Sequence, residues 1–592
     1  MGPSVSLFFG LVVVFASREV DPPVPGSGSW PFLLLHLPLL AAPYLLARAA
    51  RSLLVRELTT GRVASVPPRA LLRLSVFATP LVCWAFCVSG GWGDIGSRLA
   101  GSSSFVDMML LLAPLYVAEL PRLVVATLAE TLVEVAAQIA PGRIVDRATL
   151  PGPGELAPSV RVRLSWPILL LMPCALFGLG LDLLQIDRRA QSFFLATSPG
   201  GAIGALLFFF VAASLLPLWF RVAFGVVSAL PEPIGSRLRQ TAAALGFPAS
   251  RVLLLPTANR AMNAAMVGPL PFGRFLCLTD GILASLDEES LSGVVAHEIG
   301  HAKRGHPLLL LTFAIVIPVL LPPILGLWDV GEFDALTKAV MALLALVFVW
   351  SIVRTVAHRF EHEADATSVR ALGAGPCSRA LKTVCSLAMP MSRGFFRRVF
   401  SLHPEEADRW AFMARYESDP LFRRRFDERS TALRSLTVAL VVITAFGAIA
   451  AWIVEWPYER AIWSFRSGDF RSAQAHVATV GDEVPERWQE TWQRLREELR
   501  VATEIAPDAT DWESARREIE GKAFPRALEV LRANGPAAAA PWFALAREVD
   551  ESPLCGALHE FCRATDDVHR EKARRVVRRL GPPPGLEGVF AD

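Results

Sequence analysis

Val294-Val295-Ala296-His297-Glu298-Ile299-Gly300-His301 is the stretch around which this 592-residue chain is organised. Side chains four apart on an α-helix share one face, so His297 and His301 can grip one ion while Glu298 projects beside it. His-Glu-x-x-His is therefore a zinc site with its general base built in. With ten histidines in the chain, chance matches to this pattern number on the order of 0.01. The context predicts the helix independently. Asp287 stands as an N-cap, Glu288 and Glu289 favour the first turn, and Leu291, Val294 and Val295 form an apolar stripe.

The composition places that helix at a membrane. The chain is 53% hydrophobic with a mean hydropathy of +0.40, too apolar for an ordinary soluble protein. A net charge of +3 is small for the length and gives no case for nucleic-acid binding. The eight cysteines form no CxxC pair, and Cys83, Cys87 and Cys174 fall in apolar runs. Cys555 and Cys562, if on one helix, are about 10 Å apart, too far for a disulfide. The first apolar run has no basic segment before it and no clear small-residue cleavage site, so it reads as a span, not a removed signal peptide.

Apolar runs predict nine spans: 4–16, 31–47, 74–90, 105–120, 165–184, 193–220, 307–328, 339–353 and 436–454. Asp107 and Glu119 weaken the fourth and are read as snorkelling from its ends. Leu123 to Ala140 reads as a separate helix on or beside the membrane. The 48–73 and 121–163 loops are arginine-rich, whereas 91–104 has only Arg98 and 329–336 is acidic, which puts both basic loops in the cytoplasm with the zinc motif. The expected architecture is mainly α: a multi-pass helical membrane protein with a small α+β gluzincin-type peptidase domain and a helical C-terminal tail. Its parts are a multi-span region 1–228, a catalytic segment 229–306, a two-span hairpin 307–356, a second catalytic segment 357–435, a last span 436–455 and a tail 456–592. Val252-Leu253-Leu254-Leu255 and Phe275-Leu276-Cys277-Leu278 read as strands, with Asn263 to Gly268 also extended. In the tail, Gly468-Asp-Phe470 and Gly521-Lys-Ala-Phe524 resemble turns of tetratricopeptide-type hairpins; an unrelated helical bundle fits them equally.

A catalytic zinc takes three protein ligands and keeps one open position. A third histidine on the metzincin pattern would fall at Pro307, and His306, one place short, reads as a helix-end residue at the membrane surface. The third ligand is then expected from a second helix. In Arg359-Phe360-Glu361-His362-Glu363-Ala364-Asp365, Glu361 is preferred to Glu363 because Asp365 lies four residues on, placed to accept a hydrogen bond from a ligand imidazole. Taken alone, the pair Glu361 and Asp365 also fits a solvated helix face.

Asn263-Ala264, Asp280-Gly281-Ile282-Leu283, His297-Glu298-Ile299-Gly300-His301 and Phe360-Glu361-x-x-Ala364-Asp365 occur in that order, followed by Leu402-His403-Pro404 with Arg409. Over about 250–410 this resembles the HtpX and CAAX prenyl protease (Ste-type) family of integral-membrane zinc metallopeptidases. The resemblance implies one zinc per chain, held by His297, His301 and Glu361, with Glu298 as general base. It implies that His403 helps stabilise the oxyanion and that Arg409 holds Asp365. It also implies that Asn263, Ala264 and Ala265 form an edge strand on which a peptide substrate lies. Ala357-His358 departs from the family's usual Ser-Arg, and His362, without a family counterpart, reads as a surface imidazole.

The function expected is a membrane-bound zinc endopeptidase in the cell membrane, acting on membrane or membrane-adjacent proteins at the cytoplasmic face, with the tail outside the cytoplasm. CAAX-type processing belongs to the same class, and no Leu-Asp-Gly motif points to intramembrane site-2-type proteolysis. The competing reading is a signalling receptor or scaffold in which the peptidase domain is a switch and the tail binds a protein partner.

Overall fold

The computed structural model describes residues 4–17, 29–61, 66–138, 153–227, 230–257, 261–316, 335–387, 403–550 and 552–590, with a few isolated positions between them. It is mostly helical, with one three-stranded sheet. Among the described residues, six helical runs are long and apolar enough to cross a membrane: Trp30–Thr60, Pro68–Ser89, Ser104–Val133, Ala157–Leu184, Ser198–Phe224 and Pro420–Arg466. Of the other three expected spans, 4–16 forms the 13-residue helix Ser4–Ala16. The 307–328 run lies mostly outside the described residues. The 339–353 run falls within the helix Ala335–Leu372.

The fourth expected span and the expected surface helix are one element, Ser104–Gln138. Glu119 does not snorkel. It is fully buried and ion-paired to Arg122, one turn on and itself 2% exposed. Ser6 Oγ donates to Glu119 Oε1 at 2.6 Å and Thr79 Oγ1 to Oε2 at 2.9 Å. A neutralised, fully hydrogen-bonded pair can be carried inside a helix bundle, so the charges mark no boundary.

The sheet follows from three short apolar runs. β1 (Val252–Leu255) pairs parallel with β3 (Phe275–Thr279), and β2 (Ala264–Val267) pairs antiparallel with it, giving the order β1-β3-β2. β3 is buried throughout, as a central strand should be. β2 is left at an edge. The helix Glu288–Arg304, hereafter the motif helix, packs on this sheet through Leu291, Val295 and Ile299, each at 0% exposure, against Val252, Leu276, Leu278 and Ile282. Each such side chain contributes about 1.5–3 kcal/mol of burial.

The second compact unit comprises mainly 183–207 and 441–592 among the described residues. Its helices Phe470–Val480, Glu486–Ile505, Trp512–Ile519, Ala523–Asn534, Pro536–Arg547, Pro553–Arg563 and Asp567–Leu580 surround one core that includes Phe470, Trp492, Phe543, Phe561 and Phe590. Cys555 and Cys562 share Pro553–Arg563, and both are free and buried. Gly468, at φ +81°, turns the chain into the first of these helices; a Cβ there would stand 2.6 Å from Trp512 Cα. The short helix Arg188–Ala196 belongs to this unit too. Arg188 and Arg466 both pair with Glu548, and Trp463 Nε1 donates to Arg189 O at 3.0 Å.

Candidate metal centre

The motif helix starts and stops where its sequence dictates. Asp287 Oδ1 accepts the Ser290 N–H at 2.9 Å, a cap contributing about 1 kcal/mol. Gly305, at φ +69°, closes the C-terminus by donating to Ala302 O and His301 O. One face of this helix is anchored on the sheet, and the other presents the two histidines. Gly300 lets the carboxylate helix, Ala335–Leu372, approach closely: a Cβ at 300 would lie 3.0 Å from both Ala364 Cα and Thr367 Cβ. That contact delivers Glu361.

His297 Nε2 and His301 Nε2 stand 3.2 Å apart. Glu361 Oε2 is 3.6 Å from the first, and Oε1 is 3.6 Å from the second. A tetrahedral ion with ligands at about 2.0–2.2 Å separates them by about 3.3–3.6 Å. The spacing fits. The donors fit as well, because two imidazoles and a buried carboxylate form a set that suits a cation, and the guanidinium of Arg409 sits between Glu361 and Asp365. Burial works to lower the His297 pKa, yet the hydrogen bonds and charge of Asp365 and Glu361 outweigh it and push it up to about 10. Burial and the charge of His297 hold His301 down at about 3, leaving its Nε2 lone pair available at neutral pH.

The remaining expected residues are grouped here too. Asp365 Oδ1 lies 3.0 Å from His297 Nδ1, so this imidazole presents its other nitrogen to the centre. Arg409, on Glu406–Ser418, grips Asp365 through two bonds, Nε to Oδ2 at 2.9 Å and NH2 to Oδ1 at 2.6 Å. His403 is solvent-facing, with Nδ1 3.0 Å from Glu361 Oε1; Phe400, Ser401 and Leu402 lie outside the described residues. Burial pushes the Glu298 carboxyl up to about 7, and its Oε2 accepts the N–H of Met266 on β2 at 3.1 Å. Asn263, Ala264, Ala265 and Met266 therefore line the same cavity as the histidines, a space of about 1270 Å³.

The Asp280-Gly281 pair has a physical role in this. Asp280 Oδ2 accepts the Thr257 N–H at 2.8 Å, and a Cβ at Gly281 would stand 2.3 Å from Ala261 O. Together they pin the loop that feeds β2. Two expectations need correction. His306 is not an exposed helix-end residue: it is 1% exposed, with Nδ1 3.0 Å from His301 Nδ1 and Nε2 3.1 Å from Glu363 Oε2. Gly305 turns the chain back after the helix, and this αL turn is what carries His306 inward. His362 is not a surface imidazole, since its ring packs 4.6 Å from Phe412. Glu363, passed over as a ligand, is buried and paired with Arg434.

Residues 231–417 match peptidase family M48. The motif, the capped helix and the converging third carboxylate all fall inside that match. Residues 231–417 are similar to the peptidase domain of that family. Relatives of the M48 domain include a protease HtpX homolog of Pelotomaculum thermopropionicum, 24% identical over 251 residues, which are 36% of this chain and 88% of the relative. Another, from Paenarthrobacter aurescens, is 28% identical over 225 residues, covering 34% and 77%. The crystal structure of S. mikatae Ste24p aligns with a TM-score of 0.40 and 14% identity, over 65% of this chain and 99% of that one. The M48 match ends before the tail.

Proposed function

We propose that the chain is a membrane zinc endopeptidase that cleaves membrane or membrane-adjacent proteins at the cytoplasmic face. The observation that carries this is the convergence of His297 Nε2, His301 Nε2 and the Glu361 carboxylate beside Glu298. Zinc held by those three would lower the pKa of a water to about 7 and polarise the scissile carbonyl. Glu298, buried and lifted towards neutrality, takes the proton of the attacking water and passes it to the leaving amine nitrogen. His403, open to the cavity, is the side chain placed to donate to the developing oxyanion; such donors contribute about 3–4 kcal/mol elsewhere. Asp365 and Arg409 keep His297 in orientation.

The outer edge of β2, which pairs with no other strand among the described residues, supports strand addition by the substrate. Asn263 N–H donates to Thr279 Oγ1 at 3.0 Å, which ties the start of β2 to β3, and Asn263 to Met266 line the cavity. Sidedness rests on the basic loops. Whether or not 4–16 and the 307–353 hairpin span, the 48–73 and 121–163 loops share a side with 225–306 and 354–419, and the tail is reached after one more crossing.

The test uses full-length protein in detergent. Wild type is expected to hold one zinc and to cleave an unfolded protein substrate, and a chelator should stop it reversibly. Glu298→Gln should keep the metal and lose at least about 10³-fold in rate, while Glu361→Ala should lose the metal. Undiminished cleavage by Glu298→Gln would end the argument for this base, and stoichiometric zinc in Glu361→Ala would end it for this ligand.

A further inference from the structure

The two histidines of the centre are backed differently. His297 has the carboxylate of Asp365 directly behind it. Behind His301 stands another imidazole: His306 Nδ1 is 3.0 Å from His301 Nδ1. His306 is 1% exposed, lies flat on Phe360 with ring centroids 4.2 Å apart, and brings its Nε2 to 3.1 Å from Glu363 Oε2. Glu363, 2% exposed, is in turn ion-paired to Arg434.

Only one arrangement of protons satisfies this row. A carboxylate accepts only, so His306 Nε2 must carry the hydrogen that it shares with Glu363. Neutral imidazole then leaves a lone pair on His306 Nδ1, which can only accept. His301 Nδ1 must therefore donate, and the lone pair of His301 is thereby fixed on Nε2, the atom facing His297 and Glu361. Burying these groups costs several kcal/mol unless donors meet acceptors, and in this order both imidazole contacts, His301 to His306 and His306 to Glu363, set a donor against an acceptor.

We propose that His306, held by Glu363 and Arg434, is a positioning residue for the metal centre: it fixes the tautomer and ring orientation of His301 and so sets metal affinity. This rests on the metal reading above and goes beyond it, since none of the three belongs to the donor group His297, His301 and Glu361. It also means that one end of the row is Arg434, two residues before the 436–454 apolar stretch of the helix Pro420–Arg466.

The experiment measures zinc affinity by chelator competition and the visible spectrum of the cobalt-substituted protein, in detergent. Thermal unfolding of the metal-free forms runs alongside. His306→Phe keeps the stack on Phe360 and removes both nitrogens; His306→Gln keeps one acceptor and one donor. We expect His306→Phe to bind zinc about 10–100-fold more weakly with a changed cobalt spectrum, and His306→Gln to recover part of the loss. Glu363→Gln, which retains an acceptor but removes the charge, carries the test should His306→Phe not fold, with a loss of about 3–10-fold expected. Wild-type affinity and spectrum in His306→Phe, or in Glu363→Gln where that variant stands in, would overturn the proposal. So would equal losses in folded His306→Phe and His306→Gln, which would assign the effect to packing. If wild type itself held no zinc while folded, the metal reading would fall, a result distinct from any of these.

Discussion

At the residue scale, the centre separates side chains that pattern alone identifies from those that only packing reveals. His297, Glu298 and His301 are legible because helical periodicity is a local rule, and the i,i+4 pair Glu361 and Asp365 follows the same rule. Glu363 sits about 200° around the helix from Glu361, so the same rule says only that it points elsewhere. Its partners are 57 and 71 residues away in sequence, beyond the reach of any local rule. The contrast between Asp365 and a mere surface carboxylate is testable. Asp365→Asn keeps the shape but gives Arg409 no charge to hold and leaves His297 without an obligate acceptor. Zinc affinity should fall about 10–100-fold in chelator competition with little change in unfolding temperature of the metal-free protein. An unchanged affinity would show that Arg409 and the cavity wall orient His297 unaided.

At the element scale, two helices meet at a glycine. Gly300 and Ala364 let the motif helix and the carboxylate helix approach until Glu361 reaches both imidazoles. Gly300→Leu puts a branched side chain where even a Cβ would lie only 3.0 Å from Ala364 Cα and Thr367 Cβ, and so must push the two helices apart. It should cost about 1–3 kcal/mol in thermal unfolding and abolish stoichiometric zinc, as read by elemental analysis. The strands and the capped helix were legible, since β-rich runs between Pro and Gly turns and an Asp before a Glu pair are strong local signals. Glu119 was misread because a charge within an apolar run has two solutions, an interface or a partner: Arg122 lies one turn on in the same helix, but the hydroxyls of Ser6 and Thr79 that complete its bonds come from other helices of the bundle. Glu119→Ala strands a buried guanidinium and should cost about 3–5 kcal/mol. Replacing both Glu119 and Arg122 by leucine should cost far less, and a double variant as unstable as the single one would contradict this account.

At the scale of the whole molecule, the tail carries its own core. Its buried residues run from Ala461 to Phe590, all within the C-terminal segment. A fragment covering 456–592 should therefore be soluble and helical and should melt in one cooperative transition, followed by circular dichroism; a broad, non-cooperative melt would tie its folding to the 183–207 segment that Glu548 grips through Arg188. Composition announced helices there, but which faces pair was hidden, because an apolar stripe says which face of a helix is buried and not which helix covers it. The span count stayed coarse for a related reason. Hydropathy counts apolar length, and Ser4–Ala16 falls short of it while packing inside the bundle through Leu7 and Val14.

β2 has one side given to β3 and the other turned to the cavity. A protease gripping its client along such a border handles main-chain amides, which every polypeptide has, and meets them only where they are not already spoken for. Native helices and inner strands cannot offer themselves; a slack linker or a melted stretch can. Selection would then follow from the state of the client, intact or unravelled, more than from the letters it is written in.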